Sequence, residues 1–96
     1  LDVVKMLTVA PEILSEEALA YLLSTNIKLS AGHSAASFAE ATSGFDHGIH
    51  AATHLWNAMS PLHHREGGLP AAVTNHKSVF VSIIVDGIHV DYKVVK

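Results

Sequence analysis

Apolar and β-branched residues run almost without interruption through VVKMLTVA (3–10) and stop at Pro11, which predicts a strand ending at Ala10. The period then changes. Leu19, Leu22 and Leu23 recur at i, i+3 and i+4, so a helix follows, with Ser15 as its cap and Glu16 and Glu17 at the positive end of its dipole. IKLSA (27–31) predicts a short second strand, broken by Gly32. Ser34 is then expected to cap a second helix that carries Phe38, Ala41 and Phe45 on one face and Gly44 near its end. GIHAATHL (48–55) predicts a third strand, PLHHREGGLP (61–70) a loop, AAVTNH (71–76) a short helical turn and SVFVSIIVD (78–86) a fourth strand. HVDYKVVK closes the chain where a further helix begins.

Near-continuous apolar strands that alternate with amphipathic helices indicate βαβ units and an α/β fold, with a parallel sheet covered on its outer face. Barrel and open sheet both satisfy that pattern. In either, chemistry belongs beyond the carboxyl ends of the strands, where the βα loops gather. No Pro/Gly/Ser linker and no repeat beyond the βα alternation divides the chain, so residues 1–96 read as one unit.

Composition narrows the function. With 96 residues, 49% hydrophobic and 16% charged, the chain belongs among globular sequences. Six Lys and Arg against nine Asp and Glu leave a net charge of -3, which provides no basic footprint for nucleic acid. No apolar run approaches the roughly 18 residues of a membrane span, and LDVVKM has none of the layout of a signal peptide. A soluble protein is expected, and the absence of cysteine fits a reducing compartment. The missing initiator Met and the abrupt end suggest a piece of something longer.

Eight histidines are the compositional anomaly, and three of the four strand exits hold one: His33 in AGHS, His54 in THLWN and His89 in DGIHVD. Neutral imidazole is the commonest metal ligand, and histidines on successive parallel strands can converge above the sheet however far apart they lie in sequence. The wide spacing resembles no zinc finger and suits a catalytic metal with a position open for water. The competing reading is that each histidine separately bonds backbone. That reading is preferred for His47, His50, His63, His64 and His76, which lie in helix ends, loops or lower on a strand. His50 in particular sits about 13 Å below His54 on the same strand face.

Arg65, the sole arginine, occupies the loop that leaves the same rim as His54, where a bidentate contact to carboxylate or phosphate is physically reasonable. Asn57 and Ala58 could offer backbone N–H groups to an anion or hydroxyl, or form a plain turn. Asp86 and Asp91 flank His89 and could orient its ring or act as acid or base. No G-x-S-x-G, P-loop or cysteine nucleophile is present, which leaves metal-assisted hydrolysis.

LTVAPE, AGHSAA, ATHLWNAM, REGGL and DGIHVD, in this order, resemble the N-acetylglucosamine-6-phosphate deacetylase family of the amidohydrolase superfamily. The resemblance implies a (β/α)8 TIM barrel, of which the four strands here form a portion. It implies hydrolysis of the acetamide of N-acetylglucosamine-6-phosphate in cytoplasmic amino-sugar catabolism, with a divalent metal, zinc or iron, as cofactor. His33 and His54 match the family's histidine metal ligands. Asn57 and Ala58 match a substrate-contacting pair, Arg65 the arginine that grips the phosphate, and Asp86, Gly87, Ile88 and His89 a further substrate-contacting segment. The family's glutamate ligand, expected upstream in a Glu-Gly-Pro context, and its catalytic aspartate, expected downstream in Thr-Asp-Ala, are absent, and neither Glu12 nor Asp86 fills those motifs. This stretch alone is therefore expected to be inactive, and its bare parallel edges to favour homo-oligomers. Two other readings are an amidohydrolase for another acetamido sugar or cyclic amide, and a non-catalytic metal-binding or assembly module.

Overall fold

The computed structural model describes residues 3–96. Its elements are β1 (Met6–Val9), α1 (Glu16–Leu23), β2 (Lys28–Ala31), α2 (Phe38–His47), β3 (Ala51–Ala52), α3 (Gly68–Asn75), β4 (Phe80–Val81) and α4 (Tyr92–Val95). The four strands form one parallel sheet in the order β1-β2-β3-β4. Sequential parallel strands joined by helices are the connectivity of part of a (β/α)8 barrel, as expected. No helix of the described residues is long and apolar enough to cross a membrane.

β2 and β3 are the interior strands of the sheet and its buried ones, with only Lys28 of β2 exposed. Leu29 and Ala31 are sealed against α2 and α3, together with Ile49, Ala52, Phe45, Leu69 and Ala72. Leu19, Leu22 and Leu23 of α1 close the margin of this core while remaining half-buried. β1 is mostly exposed, and so is β4, because nothing among the described residues covers their outer edges.

Two ladders are shorter than the apolar runs suggested. β3 pairs regularly only at Ala51 and Ala52, since Gly48 is still closing α2 with φ 129° and His54, at φ 36°, cannot continue an extended strand. β4 inherits that limit, having only those two residues to pair with. Thr53 still donates its N–H to the Ala31 carbonyl and Leu55 to that of Ser82, so the backbone stays attached beyond the ladder.

The helix starts also differ from expectation. Ser15 caps α1 as foreseen, accepting from the Ala18 N–H at 3.1 Å. The second helix is capped by Ser37, not Ser34. Ser37 accepts the Glu40 N–H and Glu40 accepts the Ser37 N–H, a reciprocal capping box. Phe38 accordingly lies outside the buried face that Ala41, Gly44 and Phe45 form.

α3 begins three residues earlier than the predicted turn, inside the glycine-rich loop, because its first N–H groups are all accounted for. Glu66 accepts from Gly68, the Ser60 hydroxyl accepts from Leu69, and Pro70 has no N–H to satisfy. At the end of the described residues Asp91 accepts from the Lys93 N–H and caps α4. Replacing Ser37 with Ala should cost about 1 kcal/mol in urea unfolding. The same measurement on Ser24→Ala, at the C-terminal end of α1, should show less.

Candidate metal and substrate site

Each βα loop inherits its position from the strand it leaves. Gly32 ends β2 in contact with both neighbouring strands: a Cβ there would stand 2.9 Å from Thr8 Cγ2 and 3.1 Å from Thr53 Cβ. That close approach places His33 beside the exit of β3, where the His54 N–H is held by the Ser82 hydroxyl at 2.8 Å. The two rings meet edge to face, and their Nε2 atoms are 3.0 Å apart.

His33 at φ 47° and His54 at φ 36° both have left-handed backbone, and so do Trp56 at 83° and Ala58 at 50°. Such conformations are uncommon for non-glycine residues and cluster where surroundings over-determine them. Here all four lie in the loops that leave β2 and β3.

Those loops are stitched to one another. Ser34 donates its N–H to the Ala58 carbonyl and accepts from the Ser60 N–H, a parallel bridge opposite Met59. The Ser60 hydroxyl adds a bond to the Ala36 carbonyl at 2.7 Å. From the other side, Glu12 accepts the Ser34 hydroxyl at 2.6 Å and the Ala35 N–H at 2.8 Å. Partial burial pushes the Glu12 carboxyl up, but these bonds outweigh it and leave the group below the ordinary carboxylate value. An open depression lined by His33, Ser34, Ala35, Ala58 and Met59 lies along this seam.

The pair fits a divalent cation in kind and spacing, because two imidazole nitrogens each about 2.0–2.1 Å from one ion stand roughly 3 Å apart. It supplies two ligands only. Among the described residues no group of three or more His, Cys, Asp or Glu could close around an ion, so His89 does not join the other two strand-exit histidines. The buried His54 Nδ1 has no partner among the described residues.

The remaining candidates divide into two arrangements. Asp86 accepts the N–H groups of Ile88 and His89 through Oδ1, and its Oδ2 stands 2.6 Å from His89 Nδ1. The imidazole first, then the two N–H groups, lower the Asp86 carboxyl to about 2. With Nδ1 committed to Asp86, the His89 ring is oriented and its Nε2 is the nitrogen left for a ligand. Gly87 has φ 75°, and a Cβ there would collide with the Tyr92 ring at 2.5 Å, while Ile88 is almost wholly exposed.

Arg65 sits in a turn closed by mutual backbone bonds between His63 and Glu66, and its Nε donates to His64 Nε2 at 3.1 Å. Glu66, unremarked in the sequence, ties this turn down by accepting from Phe38 at the start of α2 and from Gly68 at the start of α3. Those two bonds hold its carboxyl below the usual range. Asn57 spends its backbone N–H on the His54 carbonyl, so that group is not offered to a ligand as supposed; its buried side-chain Nδ2 is the unpartnered donor among the described residues.

The other histidines have local partners. His47 donates to the Ser43 carbonyl, His50 lies edge-on to Phe80, His63 and His64 stack, and His76 pairs with Asp46 beside Phe45.

The N-acetylglucosamine-6-phosphate deacetylase of Danio rerio is 38% identical over 95 residues, 93% of this chain and 24% of the relative. The Thermotoga maritima N-acetylglucosamine-6-phosphate deacetylase superposes with a TM-score of 0.88 at 44% identity, covering 97% of this chain and 26% of that one. The chain is a relative of the N-acetylglucosamine-6-phosphate deacetylases. It spans about a quarter of the length of the curated relatives it matches. An N-acetylgalactosamine-6-phosphate deacetylase from Escherichia coli O157:H7 is 36% identical over 74 residues, 77% of this chain and 20% of the relative. A variant of the Mycobacterium smegmatis deacetylase, solved in complex with N-acetyl-D-glucosamine-6-phosphate, superposes with a TM-score of 0.86 at 36% identity, covering 95% of this chain and 24% of that one. No family model matches the chain.

The Asp86 arrangement predicts a pH response with a definite sign. Its folded value of about 2 lies below the ordinary 3.8, so its stabilising effect on the Asp86–His89 turn is complete above about pH 4 and is lost as pH falls through about 2. Carboxyl carbon NMR of Asp86 should titrate in that low range and move back toward 3.8 in His89→Ala.

Proposed function

We propose that this chain is an internal stretch of a metal-dependent deacetylase that hydrolyses the acetamide of N-acetylglucosamine-6-phosphate to glucosamine-6-phosphate and acetate. The observation that carries the metal is the facing pair of Nε2 atoms at 3.0 Å on two strained loops. The substrate rests on kinship with deacetylases, one of them solved with this sugar phosphate.

His33 and His54 would hold the ion, zinc or iron, through Nε2 as two ligands of a larger set. The chemistry such an ion supplies when bound is Lewis acidity toward water and toward the acetamide carbonyl. Arg65, with Nε on His64, would bring its terminal nitrogens to a bidentate grip on phosphate. Ala58 borders the depression beside His33, and Asn57 Nδ2 can donate to a sugar or phosphate oxygen. His89, its Nδ1 held by Asp86, would offer Nε2 to the same ligand, with Gly87 and Ile88 in the turn that carries it.

Proton transfer from water to the leaving amine needs a free carboxylate. Glu12 and Asp86 are both committed to loop hydrogen bonds, so that group must come from elsewhere in the intact enzyme. The 96 residues alone should therefore show no deacetylation. The uncovered edges of β1 and β4 favour association, either with further strands or with other copies. A phosphorylated substrate does not diffuse through membranes, which supports the cytoplasm as its site of action.

One relative acts on the galactosamine epimer, which favours a second reading within the same chemistry. Comparing kcat/KM of the intact enzyme for the glucosamine and galactosamine substrates decides between them. Arg65→Ala should raise KM for the phosphorylated sugar roughly 10- to 100-fold, the worth of a lost charge-assisted bond. It should leave turnover of unphosphorylated N-acetylglucosamine nearly unchanged; equal losses on both substrates would refute the phosphate role.

A further inference from the structure

We infer that Glu12 is a positioning residue for the metal pair, acting through Ser34. The proposal rests on the reading of His33 and His54 as ligands and extends it to Glu12, the last residue of LTVAPE, to which the resemblance gives no role. Glu12 lies in the turn after β1, and its two oxygens are divided between two consecutive residues of the β2 loop: Oε1 takes the Ser34 hydroxyl and Oε2 the Ala35 N–H. Both residues immediately follow His33. The Ser34 side chain is buried and also accepts the Ala36 N–H at 3.1 Å, so its hydroxyl is both donor and acceptor within this segment.

The same Ser34 backbone is bonded on both sides to the loop that follows His54, through Ala58 and Ser60. Glu12 therefore anchors the one residue that sets the register between the two histidine loops. Removing the carboxylate leaves the Ser34 hydroxyl and the Ala35 N–H without their acceptor, and the His33 loop has a left-handed residue with a preference for relaxing to another conformation. A loop shift of less than an ångström is enough to spoil a shared ligand geometry. Residues that orient ligands in this way typically change metal affinity by about 10- to 100-fold.

The test is zinc affinity of the intact, metal-stripped protein, measured by competition with a chromophoric chelator, alongside Tm of the metal-free form. His33→Ala should abolish tight binding. Glu12→Ala and Ser34→Ala should each weaken it about 10- to 100-fold. Glu12→Gln should fall between, because its amide oxygen still accepts from Ser34 while its NH2 cannot accept from Ala35. Glu17→Ala, on the exposed face of α1, controls for the loss of one negative charge.

A lower Tm with wild-type zinc affinity in Glu12→Ala would make Glu12 a fold-stabilising residue only and would overturn the proposal. Should Glu12→Ala fail to fold, Glu12→Gln and Ser34→Ala decide: graded loss supports the role and wild-type affinity refutes it. If His33→Ala binds zinc as the parent does, the metal reading itself is wrong and the positioning role falls with it. Loss in His33→Ala with no loss in the Glu12 and Ser34 variants sinks the positioning role alone.

Discussion

A parallel sheet leaves the last backbone N–H and C=O groups of each strand without partners, and Ser34 resolves that problem for two strands at once. Its N–H and C=O pair with Ala58 and Ser60, which extends the contact between the β2 and β3 chains past the point where both have stopped being strands. The ladder between β2 and β3 is only two residues long. Without the Ser34 bridge the two histidine loops would be joined by side-chain contacts alone, and the approach of the two Nε2 atoms would have no backbone to enforce it.

This constraint also explains where the strain sits. Non-glycine residues in the left-handed region cost of order 1–3 kcal/mol each and persist only when several other interactions require them. His33, His54, Trp56 and Ala58 are all of this kind, and all lie within the segment bounded by Gly32 and the Ser34–Met59 bridge. Crowding at Gly32, the bond from Ser82 to the His54 N–H and the buried Leu55 supply those requirements. The core below the sheet therefore determines the conformation above it: Leu29, Ala31 and Ala52 fix the strands whose ends must turn this sharply.

The α/β class, the first helix with its Ser15 cap and the pairing of His33 with His54 were all legible, because each depends on local periodicity or on residues at strand exits. Strand lengths were not. The apolar run 78–86 has the composition of a long strand, yet its ladder is set by β3, and β3 is cut short by a turn at His54 that composition does not reveal. The Ser37–Glu40 box was present as a readable S-x-x-E, but Gly32 drew the helix start toward Ser34, whose real partner lies 22 residues earlier. The roles of Glu12 and Glu66 were not legible although both stand in quoted motifs, LTVAPE and REGGL: Glu12 acts on Ser34 and Ala35 and Glu66 on Phe38, partners distant in sequence that no local pattern announces.

Those two glutamates converge on one short segment. Glu12 binds Ser34 and Ala35, and Glu66 binds Phe38, so carboxylates from the first and third βα loops hold the two ends of the passage from β2 into α2. Arg65 is adjacent to Glu66 and His33 is adjacent to Ser34. The Arg65 guanidinium and the His33 imidazole are thus referenced to the same few residues of backbone, through a handful of hydrogen bonds rather than through the long loop between them. Two groups that are to act on one ligand need a fixed separation, and a common anchor is the physical means of providing it. The short passage of residues 34–38 is then the element on which the relative placement of His33 and Arg65 depends.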